Sequence, residues 1–339
     1  MPTLLAAFQM DADGLLVRAE ALGFCSYLER RGYPVLLTVP RTQEDFGGEA
    51  SDDPWGQPLF RPVWRDKEGR TVTATVKIVQ VVVAVEADVT VQEFDASQAK
   101  KDAASDALRE AYGVAKEVVG DFLDWARVLG GQYWLTPSHE APTAAGLTSL
   151  LDPAAGQRFP IGLPVGIVAI GSSIDDALDA DGIATVAERA ARGLDTPTPE
   201  ILLADAWHLF VPSGAWEEDT PLDLRRIVLL AAIACETKVK RTLLDKAGRE
   251  MRGLVEIIVE NPREVTQSVP QLLDKTCRET LGTSLKDADR ELWKRIDRLF
   301  TARNSVAHRG LSPSEDAVRD GLTASRGLFE WLDGLPTGF

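Results

Sequence analysis

The pattern of apolar and polar residues divides the chain into a strand-rich first part and a helical second part. Residues 1–92 hold short runs rich in Val, Ile, Thr and aromatic residues, of which Pro58–Asp66 and Thr71–Val91 are the clearest. The segment DKEGR between them predicts a hairpin turn. Pro62 cannot donate a ladder hydrogen bond, so it is expected on an edge strand or at a bulge.

A long helix is predicted from about Ala96 to Leu129, because its apolar residues recur at three- and four-residue steps. Gly130-Gly131 is expected to end it. A strand at Gln132–Thr136 and a helix over Ile174–Arg192 are predicted to follow. Residues 1–195 are therefore predicted to form one acidic α+β domain.

Helices are predicted throughout the rest of the chain, beyond a polar joint at Gly193–Pro199. Three of them begin with Ser or Thr, then Pro and an acidic residue, which is the residue order of a helix N-terminus. Their predicted ranges are about 199–210, 221–247, 249–260, 268–281, 287–309 and 313–334. Residues 196–339 are thus predicted to form an all-α domain, a four-helix bundle.

Charge is unevenly distributed along the chain. The formal net charge is -15, yet Asp223–Gly310 contains 18 Lys and Arg against 13 Asp and Glu, a local excess of +5. A mildly basic helical segment in an acidic chain indicates a local anionic ligand. Lys238, Lys240 and Arg241 are candidate RNA-binding residues; the alternative is an ordinary solvated helix face.

Composition also bounds the compartment and the cofactors. The residues after Met1 do not form a secretory leader, which would begin with basic residues and continue with an apolar run. No stretch is long and apolar enough to span a membrane. The cysteines Cys25, Cys235 and Cys277 are widely spaced, so each is expected to be a buried free thiol in a reducing compartment. A cytoplasmic protein without metal, cofactor or membrane partner is expected.

The helix predicted at 287–309 carries an unusual polar cluster near its end. Its apolar stripe, formed by Leu292, Ile296, Leu299 and Val306, has a gap that is filled by Arg303. Asn304 and His308 are four residues apart and share a face beside Arg303.

These three residue types suit RNA cleavage without a metal. Histidine titrates near neutral pH and can exchange a proton with a ribose 2′-hydroxyl or a leaving 5′-oxygen. Arginine can hold the phosphate and stabilise its transition-state charge. Asparagine can orient either group. One histidine per chain is short of an acid and base pair, which a symmetric dimer would supply.

The segment Leu299–Gly310, LFTARNSVAHRG, resembles the signature of the HEPN family, and the apolar helix with Ala231–Glu236 is similar to a core helix of its Apea-like branch. The resemblance covers roughly residues 198–335. It implies a four-helix-bundle core, a homodimer formed through the motif helices, and metal-independent endoribonuclease activity that leaves a cyclic phosphate. It also implies a setting in toxin systems or anti-phage defence, with tRNA or another RNA as substrate.

Arg303, Asn304 and His308 match the family's functional residues. Glu236 is expected either to orient Arg303 or His308, or to pair with Lys240 four residues on. The acidic N-terminal domain would act as sensor, substrate guide or autoinhibitor.

Two other functions are consistent with the sequence. One is a non-catalytic HEPN scaffold that dimerises and binds a partner or nucleotide, with the motif joining helix to helix. The other is an antitoxin-like protein that masks a partner through its acidic half.

Overall fold

The computed structural model describes residues 1–42, 45, 60–65, 67–133, 135, 144–161, 177–210, 223–260 and 267–336. These residues form two compact units, one before and one after the junction between Thr196 and Pro197. The first contains an antiparallel sheet with helices and the second is mostly helical, which confirms the predicted α+β and helical parts. No helix among the described residues is long and apolar enough to cross a membrane.

Seven strands make one sheet in the described part of the N-terminal unit. They are β1 (Thr3–Arg18), β2 (Cys25–Arg30), β3 (Tyr33–Thr38), β4 (Phe60–Arg65), β5 (Thr71–Glu86), β6 (Ala144–Asp152) and β7 (Gln157–Arg158). Their order is β2-β3-β5-β1-β6-β7, and β4 pairs with the first half of β5. Pro62 lies on β4 at a register shift, as predicted.

The long central strands β1 and β5 pair along almost their whole length. Alternate residues of β1, including Leu4, Phe8 and Met10, are fully buried in the core. The register shifts between Asp11 and Leu15, where β1 bulges.

Beyond this bulge, β1 pairs with β5 along one edge, and residues outside the regular strands bond to its other edge. The strand predicted at Gln132–Thr136 is wrong for its described residues, because Gln132 uses its side chain instead. The Gln132 amide accepts from the Leu16 N–H at 2.9 Å and donates to the Leu16 carbonyl at 2.7 Å. Leu178 adds a short parallel bridge, and the Arg18 N–H donates to its carbonyl at 2.7 Å.

Two helices complete the N-terminal unit. In α1 (Gln98–Leu129) the predicted apolar positions are buried against β1 and β5, and Gly130 ends the helix as expected. Helix α2 (Ala180–Ala191) begins later than predicted, because the Asp179 carboxylate caps it by accepting from the Gly182 N–H at 2.7 Å.

Eight helices occupy the described C-terminal unit. They are α3 (Thr198–Phe210), α4 (Leu224–Lys246), α5 (Arg252–Glu260), α6 (Val269–Gln271), α7 (Cys277–Leu281), α8 (Leu285–Ala288), α9 (Arg290–Arg309) and α10 (Glu315–Asp333). A π-helical turn, Leu272–Thr276, joins α6 to α7 inside the predicted helix 268–281. The other five predicted helices have each end within three residues of the predicted position.

The side-chain caps explain the revised helix starts. Asp289 caps α9 by accepting from the Leu292 N–H at 2.9 Å, so α9 starts at Arg290. Ser314 caps α10 by accepting from the Ala317 N–H at 3.3 Å, so α10 starts at Glu315.

Helix α4 is the centre of the C-terminal unit and contacts α3, α9 and α10. Helix α10 also packs on α9, where Gly321 permits a close approach. A Cβ atom at Gly321 would lie 2.9 Å from Cδ1 of Leu299. A larger residue there would force the Leu299 side chain of the motif helix α9 to shift.

A buried cation ties three of these helices together. The Lys238 Nζ on α4 lies 2.6 Å from Glu200 on α3 and 2.6 Å from Asp333 at the end of α10. It also lies 5.3 Å from the centre of the Phe329 ring. Two turns further along α4, the Lys246 ammonium donates to the backbone carbonyls of Leu332 and Asp333, both at 3.0 Å.

The charge of Lys238 is stable at neutral pH. Burial lowers the pKa of Lys238, but hydrogen bonds to Asp333 and Glu200 outweigh burial and raise it above the ordinary 10.5. A pKa raised on folding gives stabilisation that is complete below the ordinary pKa and disappears as the pH rises through the folded-state value. The contribution of Lys238 is therefore lost only above pH 10.5.

We expect Lys238→Met to lower the free energy of unfolding of the C-terminal unit by about 1–3 kcal/mol, because two carboxylates lose a charged hydrogen-bond donor. The matched variant Lys240→Met breaks a more exposed pair and should cost less than about 1 kcal/mol. Hydrogen exchange of the α4 amides in the full chain at pH 7 measures both. Equal losses of unfolding free energy in the two variants would contradict the assignment of Lys238 as the residue that joins α3, α4 and α10.

Candidate functional site

The candidate site lies in the last two turns of α9. The helix buries Ile296, Leu299 and Val306 against the core of the C-terminal unit. Arg303, which fills the gap in this stripe, is half-buried, whereas Asn304 and His308 are exposed. The apolar stripe thus holds the helix and leaves the polar residues of the motif at the surface.

The structure brings Arg303 and Asn304 into direct contact. The Arg303 Nη1 donates to Oδ1 of Asn304 at 3.0 Å. This bond draws the guanidinium from the core side of α9 toward the face that carries Asn304. His308 follows one turn later on that face, so all three polar groups are next to one surface region.

His308 has no hydrogen bond or ion pair with any residue in the described ranges, and neither Arg303 nor Asn304 bonds to another helix. Among the described residues of one chain, therefore, the motif does not join helix to helix. Asn304 and His308 are exposed, and the His308 imidazole can meet a ligand or a second chain.

Gly310 ends the helix immediately after the motif. Its φ of +63° is a left-handed conformation that favours glycine, and its N–H donates to the Val306 carbonyl at 3.0 Å. The next residue, Leu311, is 46% exposed, and Ala307 beside His308 is exposed as well. Two apolar residues therefore flank the polar cluster at the surface.

Glu236 lies on α4 with its carboxylate committed to Lys240. The Lys240 Nζ is 2.6 Å from Oε1 of Glu236, and no hydrogen bond joins Glu236 to Arg303 or His308. The geometry therefore matches the alternative in which Glu236 pairs with Lys240 on its own helix.

The predicted RNA-binding residues on α4 occupy two opposite environments. Lys238 is buried with two carboxylate partners, so we do not retain it as an RNA contact. Lys240 and Arg241 lie on the outer face of the helix, where Arg241 is 3.8 Å from Asp245. That face forms a shallow groove of about 440 Å³ whose walls include Ile233, Glu236, Lys240, Arg241 and Leu244.

A second row of cations, which the sequence reasoning overlooked, lies on α9 itself. Arg290, Lys294 and Arg298 follow each other at four-residue spacing and all three are exposed. Such spacing places side chains on one face of a helix, and it is visible in the sequence alone. The row turns by about 40° around α9 at each step, so Arg298 faces the same way as Ser305 and Arg309, to one side of His308.

Asp320 of α10 anchors part of this row. Its carboxylate accepts from Arg295 Nε at 2.7 Å and from Arg298 at 3.1 Å. Burial alone would raise the pKa of Asp320, but the hydrogen bonds from Arg298 and Arg295 outweigh it and hold the pKa below its ordinary value. Asp320 therefore remains ionised at neutral pH and fixes the position of both arginines.

The described residues contain no group of three or more His, Cys, Asp or Glu side chains arranged to hold a metal ion. Cys235 and Cys277 are buried, and burial raises the pKa of each thiol to about 12. The expectation that Cys25 is buried is wrong, because it lies exposed on β2.

Comparison with known proteins adds no assignment. No family model, curated protein or solved structure matches this chain.

We expect His308→Ala to change the free energy of unfolding by less than about 0.5 kcal/mol, because the exposed imidazole has no partner among the described residues. Val306→Ala, two residues earlier, removes buried methyl groups and should cost about 1–3 kcal/mol. Hydrogen exchange of the α9 amides measures both variants. A loss above about 1 kcal/mol for His308→Ala would instead favour an architectural role.

Proposed function

We propose that the chain is a metal-independent endoribonuclease of the HEPN type, in which Arg303, Asn304 and His308 form the active site. One observation supports this most directly: half-buried Arg303 bonds to exposed Asn304, exposed His308 follows one turn later, and none of the three bonds to another helix among the described residues. The resemblance of Leu299–Gly310 to the HEPN signature also supports it. Toxin or anti-phage defence is the proposed setting, and the C-terminal unit is the proposed HEPN four-helix bundle.

The proposed reaction is cleavage by the neighbouring 2′-hydroxyl. One histidine removes the hydroxyl proton while the 2′-oxygen forms a bond to phosphorus, and the bond from phosphorus to the 5′-oxygen breaks. An imidazolium protonates the departing 5′-oxygen, which gives a 2′,3′-cyclic phosphate and a 5′-hydroxyl. Arg303 binds the phosphate oxygens as their negative charge rises, and Asn304 holds Arg303 through the 3.0 Å bond.

A homodimer completes this chemistry, because each chain supplies a single histidine to the site. Isologous contact between two α9 helices near their C-terminal ends would place two copies of His308 close together. The exposed Ala307 and Leu311 offer the apolar contact that such an interface needs. The site is incomplete in the monomer under this proposal.

The deciding experiment is cleavage of total cellular RNA and tRNA by the purified full chain in EDTA. We expect the wild type to cut and to leave cyclic phosphate ends, and His308→Ala to lose at least 100-fold in rate, in line with the usual contribution of a general acid or base of about 10²–10⁴. Arg109→Gln, an exposed arginine on α1, serves as the control that removes a cation elsewhere.

The dimer is tested in the same assay with Leu311→Asp. This variant should sediment as a monomer and lose cleavage together with dimerisation. Cutting that depends on added metal, or equal cutting by wild type and His308→Ala, would contradict the proposed mechanism. A dimer without cleavage would favour the non-catalytic scaffold.

A further inference from the structure

The exposed face of α9 carries the cations Arg290, Lys294 and Arg298 together with the acids Glu291 and Asp297, and the motif follows in the last two turns. Lys294 is 45% exposed and Arg298 is 62% exposed, and Arg290 precedes them by one turn. Lys294 and His308 are separated by about four turns of one helix, so they point in nearly the same direction and lie about 21 Å apart along the axis. A strand with a rise of 3.4 Å per nucleotide covers that length with about six nucleotides.

Helix α9 is strongly basic within an acidic protein. It contains six cations (Arg290, Lys294, Arg295, Arg298, Arg303 and Arg309) and two acids (Glu291 and Asp297), a net charge of +4, whereas the whole chain carries -15. Arg303 and Arg309 form no ion pair with the described residues. The positive charge of this helix is therefore not fully neutralised by acidic residues of the protein, which favours a polyanionic ligand.

We propose that this row is the binding track for single-stranded RNA, with Lys294 and Arg298 as phosphate contacts that lead the strand to His308. The inference rests on the proposed nuclease function and adds the path and the backbone contacts of its substrate. Because the contacts are to phosphates, the track fixes the position of the strand without reading its sequence.

Arg298 is suited to this role by its fixed position. One Nη of its guanidinium is held by Asp320 at 3.1 Å, and the remaining donors are available at the surface. Lys294 is held in a similar way by Glu291 at 2.6 Å within α9. A positioned cation loses less side-chain entropy on contact with phosphate than a mobile one.

The track is compatible with the proposed dimer. If two α9 helices cross near Ala307 and Leu311, their N-terminal halves diverge, and Lys294 and Arg298 remain open to solvent. Each active site would then have a basic approach from one helix.

The track is tested by binding, which does not require cleavage. The probe is a fluorescein-labelled 12-nucleotide 2′-O-methyl RNA, which lacks the attacking hydroxyl, and its anisotropy is measured with the full-length wild-type protein from 50 to 200 mM salt. Loss of one phosphate contact to a single strand lowers the slope of log K against log salt by about 0.7. Arg298→Gln should therefore bind about eightfold more weakly at 50 mM salt and about threefold more weakly at 200 mM.

Three variants separate a phosphate contact from a structural effect. Lys294→Gln should reduce the slope by the same amount without disturbing α10, because its ion pair lies within α9. Arg298→Lys keeps the charge and should retain the slope. Arg109→Gln, which removes an exposed arginine paired with Asp106 in the N-terminal unit, should leave the slope unchanged.

The inference is overturned if the wild type does not bind the RNA, or if Arg298→Gln alters the slope no more than Arg109→Gln does. Tighter, Arg298-dependent binding of poly-glutamate would overturn it as well and assign the face to an acidic protein. Arg298-dependent binding without any RNA cleavage would leave the track intact and reject the nuclease. RNA cleavage together with RNA binding that does not depend on Arg298 would reject the binding track but not the proposed nuclease.

Discussion

A buried ammonium must be met by negative charge, and in the C-terminal unit this requirement fixes three helices relative to one another. Lys238 on α4 reaches one carboxylate on α3 and another at the end of α10, and Lys246 holds the last carbonyls of α10 from the same helix. The buried Lys238 ammonium without its carboxylate partners would carry a desolvation penalty of several kcal/mol. The placement of α10 on α4 is therefore specified by charge as well as by apolar packing.

The candidate site depends on that placement, because α10 in turn positions α9. Gly321 lets the two helices approach closely, and Asp320 receives both Arg295 and Arg298. The buried stripe of α9 is thus held firmly, whereas its exposed face carries cations together with Asn304 and His308. The buried stripe and the exposed polar residues of α9 lie on different faces, although Arg298, which is proposed to contact RNA, also bonds to Asp320 of α10.

Much of the helical structure could be predicted from the sequence, and the predictions that were wrong or missing have physical causes. The period of the apolar residues predicts α1, α4 and α9, while β1 was not singled out because Leu5 and Ala7 break its alternation. The pairing of Gln132 with Leu16 joins residues 116 apart, and no local pattern reports it. Lys238 was grouped with Lys240, although residues two apart on a helix point to opposite sides. A dimer and an RNA path involve a second molecule, which one sequence does not contain.

The distribution of the three thiols has a practical consequence. Cys235 and Cys277 are enclosed in the C-terminal core, and with pKa values of about 12 they contain almost no thiolate at neutral pH. Cys25 is the remaining cysteine of the chain and lies exposed on a strand of the other unit. A maleimide dye added to the native, unmutated protein would therefore attach at one defined position. Energy transfer from that dye to a labelled oligonucleotide would report where a nucleic acid sits relative to the N-terminal sheet, without any change to the motif helix.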